Sequence, residues 1–253
     1  LSEDAMRKAR HRLYQKAMKQ FGADILLLAH QADDRAETFL IRLLAGSGPT
    51  GLASIRPVEK LGGMKIVRPL LGLRRKDLRD YLKWRGLVWH DDPGNEDQAT
   101  RRSWIRHGLL PMIESKIGLD PTARISGASE LIEGEAQVLH AAMGLLLGQL
   151  ACVAPGPAVE TFDLRHGIWR NADALLRRQL LRHWIWRMRR SPHPPGRKAV
   201  EEALGFIEQA RPRSELRTVE GMMILHAREK LVAFNRETGQ VARIVAAGEY
   251  FPR

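Results

Sequence analysis

The run Asp24-Ile25-Leu26-Leu27-Leu28-Ala29, followed at once by His30-Gln31-Ala32-Asp33-Asp34-Arg35-Ala36-Glu37-Thr38, limits the folds open to this chain more than any other stretch. The apolar run is too short and too continuous for an amphipathic helix, so it reads as a buried strand. A helical pattern takes over from about Asp34 to Ala45, with Phe39, Leu40, Leu43 and Leu44 at helical spacing on its inward side. His30, Asp33, Asp34 and Glu37 therefore sit where a strand gives way to a helix. That is the edge at which open α/β sheets bind ligands.

His30, Asp34 and Glu37 are spaced to share one helix face, with Asp33 beside them. Three carboxylates and an imidazole in one patch repel each other unless a cation joins them. Mg²⁺ between phosphates is one candidate and an ammonium substrate is another. An acidic first turn, favoured by the helix dipole, accounts for Asp33 and Asp34 without any ligand, and both readings stay open.

The net charge of +12 points to a polyanionic partner. Nucleic acid comes first and an anionic membrane second, against a merely basic surface. A chain of 253 residues with 44% hydrophobic content can bury one large core or two smaller ones. The lone Cys152 excludes internal disulfides and cysteine-rich zinc sites. No apolar run reaches the length of a membrane span and no signal peptide is visible, so no membrane role and a cytoplasmic location are expected. The chain opens on Leu1 rather than methionine, and a fragment of a longer protein is expected.

From Ser2 to Phe21 the pattern is helical, with Ala5, Met6, Ala9, Leu13 and Ala17 on one side and Arg7, Lys8, Arg10 and Arg12 on the other. The loop Gly46-Ser47-Gly48-Pro49-Thr50-Gly51 permits unusual backbone angles and close approach to a ligand. A helix C-cap and a turn would explain it equally. Met64 to Leu71 reads as a strand whose Pro69 should lie at an edge. Arg74 to Trp84 reads as a helix with Leu78, Tyr81 and Leu82 inward. His90 to Asp97 is a polar turn without calcium-loop spacing. Arg102 and Arg106, four apart on one helix face, suit either nucleic acid or salt bridges.

Taken together, His30-x-x-Asp33-Asp34-x-x-Glu37-Thr38 and the downstream Gly46-Ser47-Gly48-Pro49 resemble the tRNA(Ile)-lysidine synthetase family of PP-loop ATP pyrophosphatases. Further matches are Arg7-Lys8-Ala9-Arg10, Arg68-Pro69-Leu70-Leu71 with Tyr81, and Asp92-Pro93-Gly94-Asn95 followed by Arg102 and Arg106. Two positions depart from the family pattern: His11 stands for a tyrosine and Ser103 for an asparagine.

The resemblance covers roughly Arg7 to Pro111. It implies an α/β fold, a truncated Rossmann-like parallel sheet over residues 1–118, followed by a mainly helical tRNA-binding domain over 119–253. It also implies a ligase that uses ATP and Mg²⁺ to join L-lysine to the first anticodon cytidine of a tRNA(Ile) with a CAU anticodon, through an adenylated intermediate. In that scheme Arg10, Asp34 and Glu37 are catalytic. His30, Asp33, Gly46, Ser47 and Gly48 bind the nucleotide, and Asp33 serves the metal. Arg102 and Arg106 meet RNA. The family's Ser-Gly-Gly-x-Asp-Ser loop has no counterpart here and is expected upstream, so the chain alone is expected to lack full activity. A catalytically inactive RNA-binding paralogue and a tRNA-thiolating PP-loop enzyme are the alternatives, the latter disfavoured by the single cysteine.

Beyond Asp120 and Pro121, which suit the cap and first turn of a helix, the apolar spacing stays helical to Leu150. Ala151 to Val159 reads as a linker. Asn171 to Arg190 reads as a helix with Leu175, Leu176, Leu180, Leu181, Trp184, Ile185 and Met188 inward and Arg177, Arg178, Arg182, Arg187, Arg189 and Arg190 on its flanks. No carboxylate occurs between Asp173 and Glu201, which favours RNA contact through Arg177, Arg178, Arg182, Arg189 and Arg190. Lys198 to Gln209 reads as a helix and Met222 to Phe234 as a hairpin. A homodimer is left open.

Overall fold

The computed structural model describes residues 3–53, 55–61, 63–90, 100–153, 159–189, 194–209, 215–219, 222–227 and 230–235. The expected turn over 91–97, the basic residue Arg190 and the tail beyond 235 lie outside the described residues. The chain divides into two compact units, Leu1–Ala136 and Gln137–Arg253.

The first unit runs α1 (Glu3–Phe21), β1 (Ile25–Leu27), α2 (Ala32–Leu44), α3 (Pro49–Leu52), β2 (Val58–Leu61), β3 (Met64–Val67), α4 (Arg75–Trp84), α5 (Arg101–Trp104), a π turn (Ile105–Leu109), α6 (Leu110–Ile117) and the first part of α7 (Pro121–Leu150). Its sheet has the order β1-β3-β2. β1 pairs parallel with β3, Leu26 opposite Ile66, and β2 pairs antiparallel with β3. A parallel pair needs a crossover, and α2 and α3 lie on it.

The expected strand and helix at the motif are both present. The strand is not buried, however. β1 is an edge strand, and Ile25 and Leu27 are exposed. β3 takes the central place instead, with Ile66 fully buried, and stops at Val67 so that Pro69 lies beyond it rather than at an edge. A ladder position would have required the N–H that proline lacks. On α2, Phe39 and Leu40 are buried as expected, but Leu43 and Leu44 are exposed because Ala32, Ala36 and Glu37 take the inward face. Leu40, Ile105 and Leu110 form a small cluster, with Ile125 of α7 packed against it. That packing ties the start of α7 to the first unit, so the turn at Gly118 joins two helices of that unit. Asp120 caps α7 as expected, accepting from the Thr122 and Ala123 N–H groups.

The end of α2 is closed by a Schellman arrangement. Gly46, at φ 73°, donates to the Leu43 carbonyl and Ser47 donates to the Arg42 carbonyl. Gly48 then caps α3, with Pro49 in its first turn. A Cβ on Gly51 would lie 2.8 Å from the Ser47 Cβ, so this glycine is fixed by contact with its own loop.

The second unit holds the rest of α7, β4 (Ala151–Val153), β5 (Val159–Asp163), α8 (Gly167–Arg170), α9 (Ala174–Arg189), α10 (Arg197–Gln209), β6 (Glu215–Val219), β7 (Met222–Ala227) and β8 (Lys230–Asn235). The strands form an antiparallel sheet of order β4-β5-β8-β7-β6. The β7–β8 hairpin matches expectation. The expected linker is instead flanked by strands that pair with each other, Cys152 opposite Thr161. Asp173 caps α9 through the Leu176 N–H. The core gathers Leu180, Leu181, Trp184 and Ile185 of α9 with Phe162, Leu147 and residues of α10. Leu175, expected inward, is exposed. No helix among the described residues is long and apolar enough to cross a membrane.

Candidate functional site

The strand-to-helix edge of the first unit gathers side chains from five elements. Gln31 is extended and caps α2; its N–H donates to Asp34 Oδ2 at 3.1 Å, the reciprocal half of a capping box. That bond fixes where Asp34 sits. Among the described residues its Oδ1 has no hydrogen-bond partner. Asp33 is held from the other side. The Arg75 N–H reaches its Oδ2 at 2.7 Å, and the Arg74 guanidinium lies at 3.4 Å from each oxygen.

Glu37 is fully buried. Arg106 grips it with two bonds, Nε to Oε1 at 2.7 Å and Nη2 to Oε2 at 3.0 Å. Arg75 reaches Oε1 at 3.5 Å and Arg102 lies 3.6 Å from Oε2. A buried carboxylate needs such pairing, because an isolated charge in low dielectric is costly. The bond to Glu37 raises the Arg106 pKa against the opposing effect of burial, with Asp34 and Asp33 adding to the rise. The π turn carries Arg106 into this position, while Arg102 one turn earlier donates to the Thr38 hydroxyl at 3.0 Å.

His30 is positioned by Arg68. This arginine is buried and uses Nη1 on the Arg56 carbonyl, Nη2 on Glu59 and Nε on His30 Nδ1 at 3.1 Å. An arginine can only donate, so His30 Nδ1 is the acceptor and the neutral ring carries its proton on Nε2. Burial lowers the His30 pKa. Asp34 opposes this, while Arg68, Arg102 and Arg10 add to it. His30 is therefore a neutral donor at pH 7. Arg10, exposed on α1, is close enough to bias it.

The expected crowd of unpaired negative charge is thus not what the chain builds. Arg68, Arg74, Arg75, Arg102 and Arg106 come from distant segments and meet the motif's carboxylates. Spacing within the motif could not reveal them. Glu37 has no oxygen left for an ammonium guest in this arrangement. Asp33 faces three donors, and among the described residues no group of three metal-ligating side chains occurs. Gly46, Ser47 and Gly48 are used to end α2 and start α3. They lie at the other end of a 13-residue helix, about 20 Å from His30, so they do not join its site. Arg74 and Arg75 were missed, yet they carried a readable signal. Two arginines at a helix N-terminus oppose the helix dipole and call for nearby carboxylates. Asp33 supplies one, Asp77 accepts from the Arg74 N–H, and Asp120 pairs with the Arg74 guanidinium.

In the second unit the α9 arginines are used unequally. Arg177 lies 5.4 Å above the Trp169 ring and donates to the Trp169 and Arg170 carbonyls. Arg178 pairs with Glu201 of α10 at 2.8 Å, so the lack of local carboxylates did not leave it unpaired. Arg182 is half-buried and burial lowers its pKa. Arg189 is half-buried as well. A cleft of about 220 Å³ opens between α9 and α10, lined by Arg177, Arg178, Glu201 and Glu208 among others. Trp184 is wholly in the core, whereas Trp186 stacks with His140 and His183.

Comparison with known proteins agrees with this architecture. Residues 2–113 match the PP-loop domain family. The chain is 35% identical over 209 residues to a tRNA(Ile)-lysidine synthase of Alkalilimnicola ehrlichii, covering 82% of this chain and 44% of that protein. It is 34% identical over 217 residues to the synthase of Geobacter sulfurreducens, covering 80% and 45%. Over 115 residues it is 43% identical to the synthase of Rhodopirellula baltica, covering 45% and 29%. The chain therefore spans a little under half the length of the first two of these relatives. Residues 2–113 are thus similar to the PP-loop domain family, and 80–82% of the chain is similar to proteins named tRNA(Ile)-lysidine synthase.

Proposed function

We propose that this chain forms part of a ligase that joins L-lysine to C2 of the first anticodon cytidine of a tRNA(Ile) with a CAU anticodon. The observation that carries the reading is the His30–Asp34–Glu37 edge, ringed by arginines, inside a PP-loop domain whose relatives bear that name. The C2 carbonyl of cytosine is a poor electrophile. Its oxygen first attacks the α-phosphorus of ATP, forming an O–P bond as the bond to pyrophosphate breaks. The lysine ε-amine then adds to C2, the C2–O bond breaks, and AMP leaves.

This chain's own residues have distinct tasks in that scheme. Asp34, with one oxygen uncommitted among the described residues, holds the lysine ammonium and takes its proton as the amine attacks. Glu37 keeps Arg106, Arg75 and Arg102 packed at the edge, so that developing phosphate charge meets fixed cations. His30 offers its Nε2–H to the nucleotide, and Asp33 holds Arg74 in place. Arg10 meets the α-phosphate or the lysine carboxylate. The exposed Arg178, with the half-buried Arg182 and with Arg189 at the end of α9, faces RNA. Arg177 is already committed to Trp169.

The test uses this chain, and the longest reading frame that contains it, with ATP, radiolabelled lysine and a tRNA(Ile) bearing a CAU anticodon. ATP-dependent transfer of label to the tRNA is expected from the longer protein, and Asp34→Ala should remove it while tRNA binding persists. Transfer that proceeds normally in Asp34→Ala would refute the assignment of the base. No transfer at all, with tRNA still bound, would favour an inactive RNA-binding paralogue.

A further inference from the structure

Helix α4 was expected to turn Tyr81 inward. Instead Tyr81 is 51% exposed, Trp84 77% exposed, and Leu87 and Val88 beyond the helix end are open as well. The two rings lie 5.9 Å apart. The Arg85 guanidinium sits 6.0 Å from the Tyr81 ring and 5.9 Å from Trp84, and Arg79 lies 5.7 Å from the Trp89 ring. Around these rings the segment carries Lys76, Arg79, Lys83 and Arg85 against only Asp77 and Asp80.

Exposed aromatics cost free energy in water, and a face of this kind is covered by something in use. The charge selects the occupant. A protein partner of ordinary composition gains little from Lys83 and Arg85, whereas a nucleic acid strand offers phosphates for the cations and flat bases for the rings. Arginines already resting on aromatic faces are ordered for such contact, since a base can stack where ring or guanidinium is open. Duplex RNA hides its base faces, so the fit is to unpaired nucleotides.

Position strengthens the case. The N-terminal residues of the same helix, Arg74 and Arg75, bind Asp33 and Glu37 at the candidate site. Trp84 lies at the other end of this 10-residue helix, about 15 Å along its axis. A strand with one nucleotide at the motif can lay its neighbours along α4.

We propose that the Tyr81–Trp84–Arg85 face of α4 is a stacking platform for unpaired RNA nucleotides flanking the one held at the motif. The proposal rests on the reading of the chain as part of an RNA-modifying enzyme and names a surface which that reading does not require.

The experiment measures binding of this chain to a fluorescein-labelled stem-loop RNA with a seven-nucleotide loop and to a fully paired duplex of the same stem, across a salt series. Wild type should prefer the stem-loop. Trp84→Ala should weaken stem-loop binding about tenfold while changing duplex binding little, and Trp84→Phe should retain most of the affinity. Arg85→Ala should weaken binding to both RNAs and lower the salt slope by about one. Equal stem-loop affinity in wild type and Trp84→Ala overturns the platform and leaves the RNA reading intact. Absence of any RNA binding by wild type refutes both. If wild type sediments as a dimer that Trp84→Asp turns into a monomer with unchanged RNA affinity, the face is a protein interface and the proposal fails.

Discussion

The α2 edge of the first unit and helix α9 of the second are both rich in arginine, and they use it in opposite ways. At the α2 edge the arginines arrive from distant segments and converge on the half-buried Asp33 and the buried Glu37. Glu37 alone is met by Arg75, Arg102 and Arg106. Along α9 the arginines ride on a helix whose other face is mainly apolar, with His183 buried in it, and their bonds reach neighbouring elements: Arg177 to two carbonyls of α8, Arg178 to one turn of α10. The first pattern is costly to disturb, since each charge depends on the others for its burial. The second leaves Arg178 exposed and its other arginines only partly covered, each with its own local contacts rather than one shared carboxylate. Abundance of arginine therefore says little until the partner of each is known.

The sharpest way to break this contrast is at Glu37. Glu37→Ala strands three guanidinium groups, one of them well buried, and should cost about 3–5 kcal/mol, read as a lower urea midpoint. Glu37→Gln keeps the hydrogen bonds and should lose clearly less. If Glu37→Ala unfolds at the wild-type midpoint, the edge is no more integrated than α9.

A second comparison uses one histidine from each region. Burial lowers the pKa of both His30 and His183; for His183 the bond to the Gln179 carbonyl opposes this, and His140 and Arg182 add to the lowering. A histidine whose folded pKa is depressed binds fewer protons folded than unfolded. Its contribution is full above the unfolded value near 6.5 and is lost as pH falls from there toward the folded value. The melting temperature should therefore drop on acidification below about pH 6.5. His30→Asn and His183→Asn should each flatten that dependence, which a pH series of thermal melts would reveal. A pH dependence untouched by either substitution would show that neither ring is held neutral by the fold.

The smallest expected effect lies on α9. Arg178→Ala removes a half-exposed pair with Glu201 and should change stability by about 0.5 kcal/mol or less, with even that vanishing in high salt. A loss as large as that at Glu37 would erase the distinction between the two regions.

Local rules made the helices legible. The caps at Asp120 and Asp173, the apolar spacing of α9 and α10, and the β7–β8 hairpin all follow from neighbours in sequence. Strand pairing did not. β2, with Glu59 and Lys60 in a four-residue segment, has no apolar alternation to announce it, and β4 and β5 are short strands flanking a Pro- and Gly-rich stretch. Exposure was misjudged where hydrophobicity was read as burial, at Leu27, Leu43, Tyr81 and Leu175, because an element at an edge has less to pack against. At the candidate site, His30, Asp33, Asp34 and Glu37 could be picked out from spacing alone. Arg102 and Arg106 could be picked out by spacing too, but not their pairing with Glu37, since the contact of Glu37 with Arg106 spans 69 residues and leaves no trace in local pattern.

The π turn between α5 and α6 has one more implication. Leu110 donates to the Ile105 carbonyl, five residues back, so the coil is widened by a single residue. Tightening that turn to the ordinary coil without removing a residue would swing everything downstream by about 100° around the axis. Leu110 would then leave its apolar neighbours, and the helix carrying Lys116 would present a different side to water. The widened coil works like a shim: a length change of one residue keeps the guanidinium on one side and the leucine on the other both in register.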